Sequence, residues 1–214
     1  MSYPPGYRIE RERSRAEKAG AAAREKAIKA AIELFSVGGY NKTSIAEVAV
    51  RTGLSQSGLL HHFPNKTALL SAVLEQRQAE DSEFLFGGAA APLGWAAFDS
   101  LVSLVARNST RPEWIGLFVR ISAEATESTH PAHQWLIDHY TGMRTWLIQA
   151  LQHGQKTGEV RNDAPVEAIV RNTIAVLDGL QQQWVAEPHS MNMVAELRVH
   201  LAGLHAAWGT TNNH

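Results

Sequence analysis

The stretch Thr43-Ser44-Ile45-Ala46-Glu47-Val48-Ala49-Val50-Arg51-Thr52-Gly53-Leu54-Ser55-Gln56-Ser57-Gly58-Leu59-Leu60-His61-His62-Phe63 decides how this chain is read. Ser44 and Glu47 have the S-x-x-E spacing in which a side chain and a backbone amide cap each other reciprocally, so a helix starts here. Ile45, Val48 and Ala49 give it one apolar face. Gly53 permits the positive φ that ends the helix in a sharp turn, Leu54 closes the angle, and Ser55 caps a second helix. Two short helices around a glycine turn make either a helix-turn-helix or a plain helical hairpin inside a larger bundle. In the first case Gln56, Ser57 and Gly58 stand at the N-terminal end of a recognition helix, where base edges of the major groove are met. Gln56 can pair bidentately with adenine, Ser57 can donate or accept at several bases, and Gly58 lets the backbone come close. Thr43, His61 and Lys66 lie where phosphates would run past, in contacts that fix register without reading sequence.

The charge distribution agrees with a nucleic-acid-binding head. The 214 residues carry a net charge of −1, but residues 1 to 66 are net +5 and residues 67 to 214 net −6. Attraction to DNA depends on local cationic density, so a basic head on an acidic body is the arrangement expected when the head alone meets phosphate. The basic run from Arg8 to Arg24 is open to the blander reading of a solvated arm. With 44% apolar residues the chain can bury a substantial core. It has no run of eighteen apolar residues and its first 29 residues are charged throughout, which predicts a cytoplasmic protein with neither membrane span nor signal peptide. The absence of cysteine excludes disulfides, thiol catalysis and cysteine-ligated zinc.

Helical periodicity dominates the rest, which predicts an all-α fold of about nine helices. The first runs from about Ala21 to Val37 with Ile28, Ala31, Ile32 and Phe35 on one face, and Gly38-Gly39 ends it; Arg8 to Gly20 either extends it or stays loose. Short helices over Ser44 to Arg51 and Ser55 to His61 follow, and Asn65 caps a fourth reaching roughly Glu83. The small-residue segment Gly87 to Gly94 reads as a connecting loop. Helix five carries Trp95, Phe98, Val102 and Val105; helix six opens at Pro112 and carries Trp114, Phe118, Ile121 and Ala125. Helix seven starts at Pro131 and runs to Gly154 or Gly158, helix eight follows Pro165 with Pro188 just past its end, and helix nine runs from Val194 to Trp208.

From about Ala21 to Leu70 the chain resembles the tetracycline-repressor (TetR) family of transcriptional regulators. The likeness is carried by Thr43-Ser44-Ile45, Glu47-Val48-Ala49, Thr52-Gly53-Leu54-Ser55 and Leu59-Leu60-His61-His62-Phe63-Pro64-Asn65-Lys66. It implies a three-helix helix-turn-helix head over residues 1–66 and a helical ligand-binding and dimerisation body over residues 67–214. The DNA face it implies comprises Thr43, Ser44, Ser55, Gln56, Ser57, Gly58, Leu60, His61 and Lys66, with His62-Phe63 wedging the head against the first and fourth helices. Two positions depart from the family pattern. Leu60 and His61 stand where many members carry two tyrosines, and Ala68 lacks the acid that often completes the cap at Asn65.

In the body, helix nine repeats Val194, Leu197, Leu201, Leu204 and Trp208 at coiled-coil spacing. Together with Ile169, Thr173, Val176, Leu180 and Trp184 of helix eight, this predicts a four-helix homodimer seam; the alternative is that both stripes pack inside one chain. Two heads about 34–36 Å apart match successive major-groove faces of double-stranded DNA, so the operator is expected to be palindromic. Trp114, Phe118, Met143 and Trp146 are candidates to line a cavity for a small-molecule effector of unspecified identity, with Glu124, His139 and Asp178 as polar partners; the bland reading is ordinary core. No metal site is expected. Pro131 breaks the His130/His133 pair, and no carboxylate sits beside His200/His205. No cofactor or catalytic motif is present, so an enzyme is not expected; a metal-sensing regulator and an all-helical enzyme are the alternatives.

Overall fold

The computed structural model describes residues 5–87, 90–187 and 190–210, with side chains from residue 17 onward. Gly88 and Ala89 of the connecting loop, and the proline expected just past helix eight, Pro188, lie outside the described residues. Among the described residues the chain is all-α, with nine helices and a lone antiparallel bridge between Val160 and Gly209. They are α1 (Pro5–Lys42), α2 (Ile45–Thr52), α3 (Gln56–His62), α4 (Lys66–Phe86), α5 (Trp95–Ser109), α6 (Pro112–Glu124), α7 (His133–Thr157), α8 (Val166–Ala186) and α9 (Met193–Trp208).

Helix α1 starts well before Ala21, so the segment from Arg8 to Gly20 extends it. It is broken at Gly39, whose φ of 72° no regular helix uses. Ser44 accepts from the Glu47 amide and Glu47 answers at the Ser44 amide, completing the capping box that opens α2. Gly53 takes the left-handed conformation and ends it. Ser55 caps α3 by accepting from the Gly58 amide at 3.0 Å. Asn65 caps α4 through the Ala68 amide, so the cap forms on one side without the missing acid. Helix α7 begins at His133, two residues after the expected Pro131, because turns bonded by Glu127, His130 and His133 amides fill the gap.

Two large cores organise the described residues, with a small third one of Ile115, Trp184 and Met193 between α6, α8 and α9. Ile28, Ala31 and Phe35 of α1 pack with Val48, Leu59 and Phe63, and this core continues into α4 through Leu69, Leu70 and Val73 and into α6 through Leu117 and Ile121. The second core joins Phe98 and Leu101 of α5 with Leu147 and Leu151 of α7, Ile169 and Val170 of α8, and Leu197 and Leu201 of α9. Helix α4 therefore leaves the first core and, one turn past Val73, brings Arg77 into the body.

Half of the residues expected in the dimer stripes are engaged inside the single chain. Ile169, Thr173, Trp184, Leu197 and Leu201 are all buried within a single chain, and Val176, Leu180, Val194, Leu204 and Trp208 are partly buried beside them. An apolar stripe at helical spacing shows that a helix buries one face; it does not say against what. The exposed positions between them include Ala168, Ala175, Ala195 and Ala202 and the apolar Val199.

Candidate nucleic-acid interface and body cavity

Gln56 and Ser57 occupy the first turn of α3 and both are exposed. Leu59 behind them is fully buried, which fixes which side of this seven-residue helix faces out. The Ser57 hydroxyl lies 3.1 Å from that of Ser55, whose oxygen also takes the Gly58 amide. Ser44 and His61 are exposed and Leu60 is half-buried on the same head. His61 meets His62 edge to face at 5.7 Å, and Arg24 of α1 lies over the Phe63 ring at 5.3 Å, tying α1 to the end of α3. The two Ser44 hydrogen bonds, first the backbone one, hold the Glu47 carboxyl below its usual range.

Thr43 and Lys66 have internal duties as well. Thr43 is buried, and its hydroxyl donates to the Gly39 carbonyl at 2.8 Å. The Lys66 ammonium donates to the carbonyls of Tyr40 at 2.9 Å and Thr43 at 3.0 Å and sits 4.1 Å from the Tyr40 ring centre. Both groups close the bend between α1 and α2 through these internal bonds.

The body encloses a cavity of about 280 Å3 among α4, α5 and α7, with an inner lobe of about 60 Å3 reaching α6 and α8. Of the seven residues expected to line it, His139 and Met143 border both lobes, Trp146 the outer one, and Phe118 and Asp178 the inner one. Burial first, and then the nearby Arg77 cation, push the His139 imidazole down to about 4, so it is neutral at pH 7. Tyr140 donates to Asp178 at 2.7 Å, and burial raises the Asp178 carboxyl.

Two expected lining residues lie elsewhere. Trp114 borders a separate small void beside Arg111 and offers its backbone carbonyl to Arg77. Glu124 stands at the far end of α6, where it accepts from the amides of Tyr40 at 2.9 Å and Asn41 at 3.3 Å. Sequence reasoning missed Arg77 and Asp81, which border both lobes. The signal was present: Arg77 continues the apolar face of α4 at the i+7 step from Leu70 through Val73 and Leu74, and a cation in such a stripe needs a partner.

Among the described residues no three His, Asp or Glu side chains are grouped to hold a metal ion, and no helix is long and apolar enough to cross a membrane. His133 bonds the Ala125 carbonyl and His200 the Thr173 hydroxyl, so the close histidine pairs turn to different partners.

Known proteins match both parts. The model of bacterial regulatory proteins of the tetR family covers residues 27–73, and that of the BetI-type transcriptional repressor C-terminal region covers residues 99–206, half of the chain. The transcriptional regulator TtgR of Pseudomonas putida is 26% identical over 184 residues, covering 81% of this chain and 85% of that protein. The repressor AcnR of Corynebacterium diphtheriae is 22% identical, covering 73% and 77%. Among solved structures, a TetR regulator of Chloroflexus aurantiacus shares the fold with a TM-score of 0.75 at 19% identity, covering 90% of this chain and all of that one. A SmeT–triclosan complex aligns with a TM-score of 0.73 at 17% identity, covering 89% and 93%. With a helix-turn-helix head and a helical body each matched in place, the chain belongs to the TetR family of transcriptional regulators.

Proposed function

We propose that this chain is a one-component repressor. Residues 1–66 form the DNA-binding head and residues 67–214 the sensing and dimerising body. A homodimer covers a palindromic operator in the cytoplasm, each α3 entering a major groove with Gln56 and Ser57 on base edges. His61 and the exposed Ser44 face phosphate, while Thr43 and Lys66 reach it by releasing their bonds at the α1 bend. The observation that carries the reading is the pairing of exposed Gln56 and Ser57 with fully buried Leu59, which leaves the first turn of α3 free to enter a groove while its far side is anchored in the head. SmeT has been solved with triclosan, which supports a body cavity that takes small organic molecules. An effector there weakens DNA binding only through its different affinity for the two head spacings, so DNA must weaken effector binding by the same factor.

The test is titration of the purified protein against duplex DNA from upstream of its own gene, with and without excess unrelated duplex. Sequence-selective binding that strengthens as salt falls is the expected result. Gln56→Ala should cost about 1–3 kcal/mol at the cognate site while leaving non-specific binding and the unfolding curve unchanged. Equal loss on both duplexes would refute the assignment of Gln56 to base reading.

A further inference from the structure

Among the described residues Arg77 is the one guanidinium that borders both lobes of the cavity, and its neighbours leave its donors incompletely matched. Only 7% of the residue is exposed. A guanidinium carries five N–H donors; that of Arg77 makes one hydrogen bond, to the Trp114 carbonyl, and rests 4.8 Å over the Phe118 ring. Its nearest carboxylate, Asp81, stands at 3.7 Å, beyond hydrogen-bond reach, and is itself held by Arg107 at 3.0 Å. Glu80 serves both Arg107 at 3.2 Å and Arg111 at 2.6 Å. This corner of α4, α5 and α6 thus sets three guanidinium groups against two carboxylates.

Two further carboxylates face the cavity, and each already holds another donor: Asp138 on α7 is exposed and takes the Gln134 amide, and Asp178 on α8 takes the Tyr140 hydroxyl, while His139 is neutral. A buried positive charge without a full complement of acceptors is unfavourable unless a partner arrives. Besides Arg77 the outer lobe is bordered by Gln78, Asp81, Ser82, Asp138 and His139, and the larger part of its wall is apolar and aromatic. Phe86 and Trp146 meet edge to face at 5.2 Å, with Leu101, Leu104 and Met143 around them. The volume of about 280 Å3 is near the lower end of ordinary small-molecule sites, roughly 300–1,000 Å3.

We propose that this cavity takes an amphipathic organic acid, its carboxylate on the Arg77 guanidinium and its aromatic or aliphatic body against Phe86, Trp146 and Met143. The assignment rests on the effector-responsive reading above and names the chemical class of the effector. Planar carboxylate and guanidinium match in a bidentate pair, which a neutral or cationic ligand cannot form.

The experiment uses the full-length protein and three probes of one shape: 1-naphthoate, 1-naphthalenemethanol and 1-naphthylmethylammonium, followed by calorimetry and tryptophan fluorescence. Naphthoate should bind at least about tenfold more tightly than the alcohol, with the ammonium weakest. Arg77→Met should abolish that preference. Because removal of Arg77 disturbs the ion-pair corner, Gly142→Phe provides a second arm. Gly142 is an exposed residue of α7 that borders the outer lobe, and nothing lies within 4 Å of a Cβ added there. That variant should fold and bind DNA normally but lose naphthoate. The proposal is overturned if naphthoate does not bind, if alcohol or ammonium binds as tightly, or if Gly142→Phe leaves naphthoate binding intact. Naphthoate that binds as described yet leaves the operator complex unchanged would instead sink the effector reading while the acid site stands.

Discussion

The Glu124 carboxylate accepts from the Tyr40 amide at 2.9 Å across 84 residues of sequence, and so the end of α6 caps the break in α1 from which the DNA-reading helices hang. The same helix carries Ile115 and Phe118 on the wall of the inner lobe. Between them Arg120 donates to the Ser36 carbonyl at 2.8 Å, which fastens α6 to the last regular turn of α1. On the effector-responsive reading proposed above, a ligand that displaced α6 would act on Gly39, Tyr40 and Asn41, and through Thr43 on the start of α2; α6 is then the contiguous element that joins the two sites.

Glu124→Ala removes the acceptor from two backbone amides and should destabilise the protein by about 1–3 kcal/mol. The sharper expectation concerns coupling. An effector should still bind the body of this variant with near-normal affinity yet release DNA poorly. Titration of the effector in the presence and absence of operator measures both; unchanged reciprocal coupling would show that α6 acts through other contacts.

Gly39 is held at φ 72°, and a Cβ there would collide with the Glu124 carboxylate. The pair φ 72°, ψ −176° is one that essentially glycine alone adopts, and it disfavours a residue with a side chain by about 1–3 kcal/mol. Gly39→Ala should exceed that, and the excess should shrink when Glu124→Ala is combined with it, because the second change clears the collision. Denaturant midpoints of the two single variants and the double variant give the interaction directly. Strict additivity would mean that the carboxylate swings aside without resistance.

The head was legible in the sequence because its signals are local. The Ser44 and Glu47 box, the Gly53 turn and the Ser55 cap are each settled within four residues, and each formed as the sequence implies. The body was legible only as helices. The periodicity of Leu197 and Leu201 reports that α9 has a buried face, but the choice between its own chain and a partner depends on residues far away in sequence, such as Phe98 and Leu147. Glu124 shows the same limit. A carboxylate in an apolar helix announces that it has a partner, and that partner is a pair of backbone amides 83 and 84 residues earlier. Arg77 lies in an apolar register of α4, and the groups that surround it, Trp114 and Phe118, are 37 and 41 residues away in sequence.

The imidazole of His139 gives the fold a pH dependence whose sign can be worked out. Its pKa lies at about 4 in the folded chain against 6.5 for the free side chain. Below pH 6.5 the unfolded chain takes up the proton first, so stability is fully present above that value and is lost as pH falls toward 4. The loss is of order 3 kcal/mol over that window, at about 1.4 kcal/mol per pH unit. His139→Gln should flatten this part of the curve. Urea midpoints at pH 7 and pH 4.5 for both proteins decide it; parallel curves would mean that His139 does not remain neutral in the folded state.

The burial pattern of α9 separates two roles that the sequence merged. Leu197 is fully buried, whereas Val199, two residues on, is 71% exposed on the outward face with Ala195 and Ala202. Leu197→Ala should act on the fold itself, lowering stability by about 2–5 kcal/mol as a cavity-forming core change does. Val199→Glu should leave each chain folded, because the site is open in the single chain, but set like charges against each other if this face meets its own copy across a two-fold axis. The expected result is a monomer by sedimentation with an unchanged helical spectrum, and operator binding weakened steeply because one head alone remains. A Val199→Glu protein that stays dimeric would move the interface away from the outer face of α9, and the partly exposed Val176 and Gly179 of α8 would be the next surface to probe.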